Sequence, residues 1–201
     1  EVTPRGGHAD IDSGAISLEF PLLYRDDLEF DRIAGRVHWE RAAGGLQVGS
    51  ELLRAVTGAT GISASFAVDF RKDPAADDTL SLAFGLRDAD AFAYRTYLPY
   101  TVSPATREWL DASVEAGHVD SAAFTYHAVF SRPDRPFSYA MQLGLDLRDA
   151  AVSYHPDWPE VSGAAGRVLV DERRVRVWAG SGRMLQSDLR NATVEVLPRR
   201  D

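Results

Sequence analysis

Hydrophobic and polar residues alternate along most of the chain, and this two-residue period is typical of strands with one buried face. The clearest segments read ISASFAVDF, TLSLAFGL, AAFTYHAVF and YAMQLGLDL. Each places apolar side chains on one side of a strand and mostly small or polar side chains on the other. The pattern predicts a mostly β protein whose strands share an apolar side.

The apolar side of these segments supplies the candidate binding residues. Once the strands pair, apolar residues two positions apart would form one continuous surface. This surface could line a groove or form a sealed core, and the alternation favours neither. The residues selected from it are Phe66, Val68, Phe70, Leu82, Phe84, Phe124, Tyr126, Met141, Leu143 and Leu145.

One segment breaks the alternation and predicts the only clear α-helix. It reads SPATREWLDASVEAG, with Ser103 as N-cap and Pro104 at the first helical position. Gly117 offers a left-handed stop, so we expect the helix near residues 103–116. A second segment, Ser50 to Gly58, fits a short helix or an irregular strand equally well.

A weak internal repeat organises the rest of the chain. Segments beginning at Ala34 and Ala165 both start with AGRV and continue as strand, polar turn, strand and Gly-Ser break. This layout predicts repeated hairpin units near residues 34–70 and 165–197. Because the chain opens with Glu1 rather than Met, we expect residues 1–201 to be a single β-rich segment of a longer protein.

The sequence predicts many amphipathic strands but one clear helix, which is too little to cover the apolar faces of all the strands. A large exposed apolar face is normally a binding or aggregation surface. Either the sheet folds over onto itself, another part of the longer protein covers it, or a ligand does. The alternation is compatible with all three arrangements.

Composition narrows the classes of partner. The 201 residues carry a net charge of -8, with a pI of about 5.1, so nucleic acid and anionic membrane surfaces are disfavoured. The chain has no cysteine, which excludes disulfides and thiolate metal sites. No apolar run approaches the roughly 20 residues that cross a bilayer.

The search for catalytic chemistry gives weak candidates. His8, Asp10 and Asp12 alternate and could share a strand face, but a polar, frayed N-terminus explains them better than a metal site. His155 and Asp157 lie in a proline-rich turn, where local turn chemistry is the better interpretation. The chain contains no nucleophile elbow, phosphate loop or dinucleotide motif. We therefore expect no catalytic residue, no metal and no cofactor.

The segment SYHPDWPEVSG forms a stiff corner. Pro156 and Pro159 bracket Trp158, and two prolines this close exclude both a helix and a central strand. We interpret Pro156, Trp158 and Pro159 as a structural corner in which the indole fills the turn between two strands. An exposed Trp158 beside Tyr154 would instead favour stacking against a glycan.

Several short motifs, taken in order, carry a family resemblance. They are Tyr97-Leu98-Pro99, Trp109-Leu110 in the predicted helix, Gly117-His118-Val119, the run LRDA leading to YHPDWP, and GRVLVDERRVRV. This order resembles that of YhdP-type proteins in the AsmA-like group, which includes TamB. The resemblance covers roughly Leu46 to Leu197.

The resemblance implies an elongated, curved antiparallel sheet that forms a taco-like groove in the periplasm, anchored by an inner-membrane segment of the parent protein. Such a groove would carry phospholipid between the inner and outer membranes, and the ten apolar residues selected above would bind its acyl chains. The implied partners are phospholipid acyl chains, the membrane anchor and other envelope proteins, with no nucleic acid and no enzymatic activity. The alternatives are a closed β-sandwich that binds envelope proteins or glycans and, less favoured, a carboxylate-dependent hydrolase.

Overall fold

The computed structural model describes residues 5–19, 21, 24–99, 102–130 and 137–197. These residues form thirteen strands, a 3₁₀ turn (Ala91–Ala93) and two α-helices, α1 (Tyr94–Tyr97) and α2 (Pro104–Ser113). The strands are β1 (Gly6–Ser13), β2 (Ile16–Leu18), β3 (Leu28–Phe30), β4 (Arg32–Ala42), β5 (Gly45–Ser50), β6 (Leu53–Thr57), β7 (Thr60–Arg71), β8 (Asp78–Asp90), β9 (Val114–Phe130), β10 (Ser138–Val152), β11 (Val161–Asp171), β12 (Val175–Met184) and β13 (Ser187–Val196).

Eleven of the described strands form one antiparallel sheet, in the order β1-β4-β5-β7-β8-β9-β10-β11-β12-β13. The eleventh, β6, pairs with β4 and β7, so β5 and β6 are two halves of one interrupted strand. Strands β2 and β3 pair with each other in a separate hairpin. The predicted elongated antiparallel sheet is confirmed, whereas the closed β-sandwich is not the architecture of these residues.

The strand register arranges the apolar side chains in rows across the sheet, because directly paired residues share a face. Row 1 contains Val48, Val68, Leu80, Ala128 and Tyr139. Row 2 contains Phe66, Leu82, Tyr126 and Met141. Row 3 contains Ala64, Phe84, Phe124, Leu143, Val170, Val175 and Val196. Row 4 contains Ile62, Leu86, Ala122, Leu145, Val168, Val177 and Val194.

The core lies on the apolar face where the β2–β3 hairpin folds over the sheet. Leu28 and Phe30 of the hairpin are buried in one cluster with Ile62 and Leu86 of row 4. Backbone contacts hold the hairpin in place, since the amide of Asp31 donates to the carbonyl of Val56 at 2.8 Å. A small part of the apolar face is thereby sealed by the chain itself.

The opposite face is polar and carries ion pairs between neighbouring strands. Arg36 donates to Asp10 at 2.6 Å, and Arg167 donates to Asp146 at 2.7 Å. The hydrogen bond from Arg167 holds the pKa of Asp146 below its ordinary value of 3.8. Each exposed pair contributes little stability, but opposite charges on paired residues favour one register over a slipped one.

The predicted helix is present and shorter than expected. The Ser103 hydroxyl accepts a hydrogen bond from the amide of Thr106 at 3.2 Å, and Pro104 occupies the first turn. The helix ends at Ser113, because β9 begins at Val114 and continues through Gly117. A Cβ at Gly117 would lie 3.2 Å from the Cα of Ala150, so this glycine permits close strand approach and does not end the helix.

For the Ser50 to Gly58 segment, the sequence allowed a short helix or an irregular strand. The structure shows a strand, because the segment contains β6. The two segments with similar sequences also adopt similar strand orders. Residues 34–70 form a meander of β4, the interrupted β5 and β6, and β7, while residues 165–197 form a meander of β11, β12 and β13. None of the described helices is long and apolar enough to cross a membrane.

Candidate functional site

All ten residues selected from the alternation lie on the apolar face of the sheet, in rows 1 to 4 or, for Phe70, two positions beyond row 1. Phe84 and Leu145 pack against the buried core. The other eight are half-buried or exposed, and the Phe70 side chain is 48% exposed. We call the uncovered region the open face: Phe66, Val68, Phe70, Leu80, Leu82, Phe124, Tyr126, Phe130, Phe137, Tyr139, Met141 and Leu143.

A chain of aromatic contacts runs along the open face between β9 and β10. The ring centroids are 6.3 Å apart for Phe124 and Tyr126, 6.0 Å for Tyr126 and Tyr139, and 5.7 Å for Tyr139 and Phe137. Phe130 continues the chain, 6.0 Å from Phe137. We call these five rings the aromatic ladder, and offset ring contacts of this kind stabilise the sheet beyond simple burial.

The ladder begins at half-buried rings and runs towards the edge of the sheet where β9 ends and β10 begins. There Phe137 and Tyr139 are 54% and 52% exposed. The sequence selection included Phe124 and Tyr126 but missed the other three rings. Alternation does place Phe130 and Tyr139 on this face, so a signal was present for both. Phe137 precedes β10 but lies two positions before Tyr139 and continues the same alternation, so the sequence carried a signal for this ring as well.

The open face is chemically suited to apolar contact. Burial raises the pKa of Tyr126 above its ordinary value of 10.0, and the neighbouring Tyr139 adds to the shift, so its phenol is neutral at physiological pH. Neutral rings and aliphatic side chains contribute dispersion and hydrophobic contacts, with no acid, base or nucleophile among the members of the open face. The surface can hold a hydrocarbon chain but offers no groups for covalent chemistry.

The polar face contains an open hollow of about 610 Å³ above β7 to β10. Its lining includes Ser65, Ser81, Thr125, His127 and Gln142, and no Asp or Glu of the described ranges lines it. The hydroxyl of Ser81 lies 3.0 Å from Nδ1 of His127, a pairing that sequence reasoning missed. Because no carboxylate is present to orient the imidazole, the pair is a cross-strand hydrogen bond and does not resemble a catalytic triad.

The candidate metal ligands near the N-terminus, His8, Asp10 and Asp12, form contacts with neighbouring side chains. Nε2 of His8 is 3.9 Å from Asp10, whose carboxylate is held by Arg36, while Asp12 pairs with Arg32 at 2.9 Å. An arginine on each carboxylate competes with any cation for the same oxygens. Within the described residues, no group of three or more His, Cys, Asp or Glu side chains could hold a metal ion.

The structure of the proline corner contradicts the prediction that the Trp158 indole fills the turn. Trp158 lies between β10 and β11 as predicted, but its side chain is 59% exposed and does not fill the turn. The indole that anchors the corner belongs to Trp109 of α2, which donates from Nε1 to the carbonyl of Tyr154 at 3.3 Å. The prediction was wrong because α2 packs beside the corner, a contact between residues 45 positions apart.

Comparison with known proteins identifies the family. The sequence profile of the YhdP protein family matches residues 1–197, which is nearly the whole chain. No curated protein and no solved structure shows a significant match. The profile match agrees with the order of motifs in the sequence and with the long antiparallel sheet. The chain therefore belongs to the YhdP family, in the AsmA-like group of cell-envelope proteins.

Proposed function

We propose that the open face binds the acyl chains of phospholipids and lets them pass across the strands. In this proposal the chain is one segment of a periplasmic bridge, anchored in the inner membrane, that carries phospholipid between the inner and outer membranes. The observation that carries the proposal is a continuous apolar surface, left uncovered by the rest of the described residues, in a chain of this family. Acyl chains would cover the part of the sheet that the chain leaves open.

The continuity of the surface supports movement across the strands. Rows 1 and 2 cross from β7 to β10 through apolar side chains, and rows 3 and 4 extend as valines through β11 and β12 to the edge strand β13. On β13, Val194 and Val196 are 54% and 56% exposed. The apolar path thus reaches the last described strand, where a hydrocarbon chain could pass to a neighbouring surface.

The dimensions fit an acyl chain. Half of a bilayer's hydrocarbon core is about 15 Å thick, and neighbouring strands are about 4.8 Å apart, so one extended acyl chain would cross three or four strands. Full burial stabilises each CH₂ by about 0.8 kcal/mol, so about fourteen half-covered groups give roughly 5 to 6 kcal/mol. That corresponds to an affinity of about 0.1 mM, weak enough for the lipid to move on.

The headgroup would remain in water in this arrangement. No charged residue belongs to rows 1 to 4, so a phosphate would gain no ion pair on the open face. The charged side chains of β10 and β11 instead pair across the polar face, as Asp146 and Arg167 do. Binding through the acyl chains alone predicts weak discrimination between headgroups.

A photo-cross-linking experiment tests the proposal. A benzophenone amino acid would replace Tyr126 on the open face and, as the matched control, its neighbour Thr125 on the polar face. After irradiation in a Gram-negative host, the purified chain would be analysed for lipid adducts by mass spectrometry. We expect phospholipid adducts at position 126 and none at position 125, because only the apolar face would contact acyl chains.

A second pair of variants separates binding from folding. Leu143→Asp places a charge on the open face, whereas Thr125→Asp places the same charge on the polar face. Lipid co-purified without detergent should disappear in the first variant and persist in the second, with circular dichroism showing a folded sheet in both. Adducts at both cross-linking positions, or at neither, would contradict the proposal, as would lipid retained by a folded Leu143→Asp variant.

A further inference from the structure

Two half-exposed indoles and a tyrosine lie together at the corner between β10 and β11. The Trp158 and Tyr154 ring centroids are 6.1 Å apart, with the ring planes inclined by 48°. Trp109 joins them through the hydrogen bond from its Nε1 to the Tyr154 carbonyl. We call Trp109, Tyr154 and Trp158 the aromatic patch. The indoles are 48% and 59% exposed, so the patch leaves unburied a large aromatic area that normally stabilises a core.

The patch is held rigidly by local structure. Pro156 and Pro159 fix the backbone on either side of Trp158. The Trp158 amide donates to the His155 carbonyl at 3.1 Å, and the Asp157 amide donates to Nδ1 of His155 at 3.2 Å. A side chain presented on such a stiff turn loses little conformational entropy when a ligand binds.

Polar groups beside Trp158 can hydrogen-bond a ligand. Because Nδ1 of His155 accepts from the backbone, its neutral ring carries the proton on Nε2 and can donate outward. The carboxylates of Asp157 and Glu160 are exposed on either side of Trp158 in the sequence and can accept hydrogen bonds. A flat apolar ring next to mixed donors and acceptors matches a sugar, which has an apolar C–H face and hydroxyl groups at its edge.

We infer that the aromatic patch binds neutral saccharide chains, by stacking the C–H face of a sugar on Trp158 and hydrogen-bonding its hydroxyls to the flanking polar groups. This goes beyond lipid transport and does not depend on it. Tyr154 and the exposed rim of the aromatic ladder at Tyr139 are separated by the length of β10, on the order of 45 Å. The two surfaces can therefore act separately.

Other partners fit the patch less well. Tryptophan and tyrosine also mark membrane interfaces, but the acidic groups beside Trp158 would repel anionic headgroups. An organic cation is held best by an aromatic cage that encloses it, whereas the Trp158 side chain is 59% exposed.

Saturation-transfer NMR and calorimetric titration of the whole chain test this inference, with chitotetraose and cellotetraose as probes. The variants are Trp158→Ala, Trp158→Phe and, as the matched control, Trp178→Ala, which removes a 39% exposed indole from β12. We expect weak binding of at least one saccharide, with transfer strongest at C–H protons. Trp158→Ala should weaken it by about tenfold or more, while Trp158→Phe keeps a flat ring and should retain most of it.

The control variant and two further probes, choline and phosphatidylcholine vesicles, test whether binding is specific to Trp158 and to saccharides. Trp178→Ala should bind as the unmodified chain does, and circular dichroism should show all variants folded. Binding of neither saccharide would overturn the inference, as would equal binding by Trp158→Ala. Binding only of choline, or only of phosphatidylcholine vesicles, would assign the patch to a cation or to a membrane surface. Lipid co-purification is expected to be the same in Trp158→Ala, so failure here leaves the lipid proposal untouched.

Discussion

Truncating one leucine in each part of the apolar face tests the division between sealed core and open face. Leu86 in row 4 is 6% exposed and is packed in the cluster that contains Ile62 and the hairpin residue Phe30. Leu82 lies on the same strand in row 2, half-buried between Phe66 and Tyr126. The two positions differ mainly in whether a second layer covers them.

The expected cost of Leu86→Ala follows from the cavity that it leaves. Removing a buried leucine side chain costs about 2 to 5 kcal/mol, and the burial of Leu86 in this cluster places its loss near 3 kcal/mol. Leu82→Ala removes contacts on its flanks only and leaves a surface that water can reach, so we expect about 1 kcal/mol. For a domain of this size, Leu86→Ala should lower Tm by about 6 to 12 °C and Leu82→Ala by about 2 to 4 °C.

Urea unfolding followed by circular dichroism measures both losses, with unchanged slopes showing that the comparison is valid. Lipid retention would be measured on the same samples, and we expect only Leu82→Ala to reduce it. Equal destabilisation by the two substitutions would refute the reasoning, because row 2 would then have to be covered as row 4 is.

Two further predictions concern the backbone and the polar face. Gly45→Ala should cost at least about 2 kcal/mol, because the backbone has φ of +156° and the new Cβ would lie 1.9 Å from the Phe70 carbonyl oxygen. A Cβ added at Gly44 would have no atom within 4 Å, so Gly44→Ala should change the unfolding free energy by less than about 0.5 kcal/mol. Equal losses of stability in the two variants would argue against the pairing of β5 with β7 at Gly45. Arg167 lowers the pKa of Asp146, so this carboxylate stabilises the fold above its unfolded pKa near 3.8, and the contribution is lost as pH falls through the lower folded value. Asp146→Asn should therefore flatten the acid dependence of the urea midpoint, and an unchanged dependence would show that the pair contributes nothing.

Much of the fold could be predicted because its signals are local. Alternation assigned the apolar side of β7 to β10 correctly, since successive side chains of a strand must point to opposite faces. The N-terminus of α2 was equally local, because the Ser103 cap and Pro104 act within one turn. The C-terminus of α2 was missed, as Gly117 serves the close approach of β9 to Ala150, a contact between distant residues.

The candidate site was predictable in part for the same reason. Eight of the ten selected residues belong to the open face, but alternation could not separate them from Phe84 and Leu145, which pack against the core. It also could not show that Trp109 would anchor the corner and leave Trp158 exposed.

The sequence by itself determined which side of each strand is apolar, and its motifs determined the family. Only the tertiary structure decided which apolar residues are covered. The face of a side chain follows from the geometry of its own strand, whereas covering depends on segments far away in the chain. The hairpin of Leu28 and Phe30 folds over row 4 and leaves the large side chains of rows 1 and 2 partly exposed. No periodicity within a strand encodes where that hairpin lies.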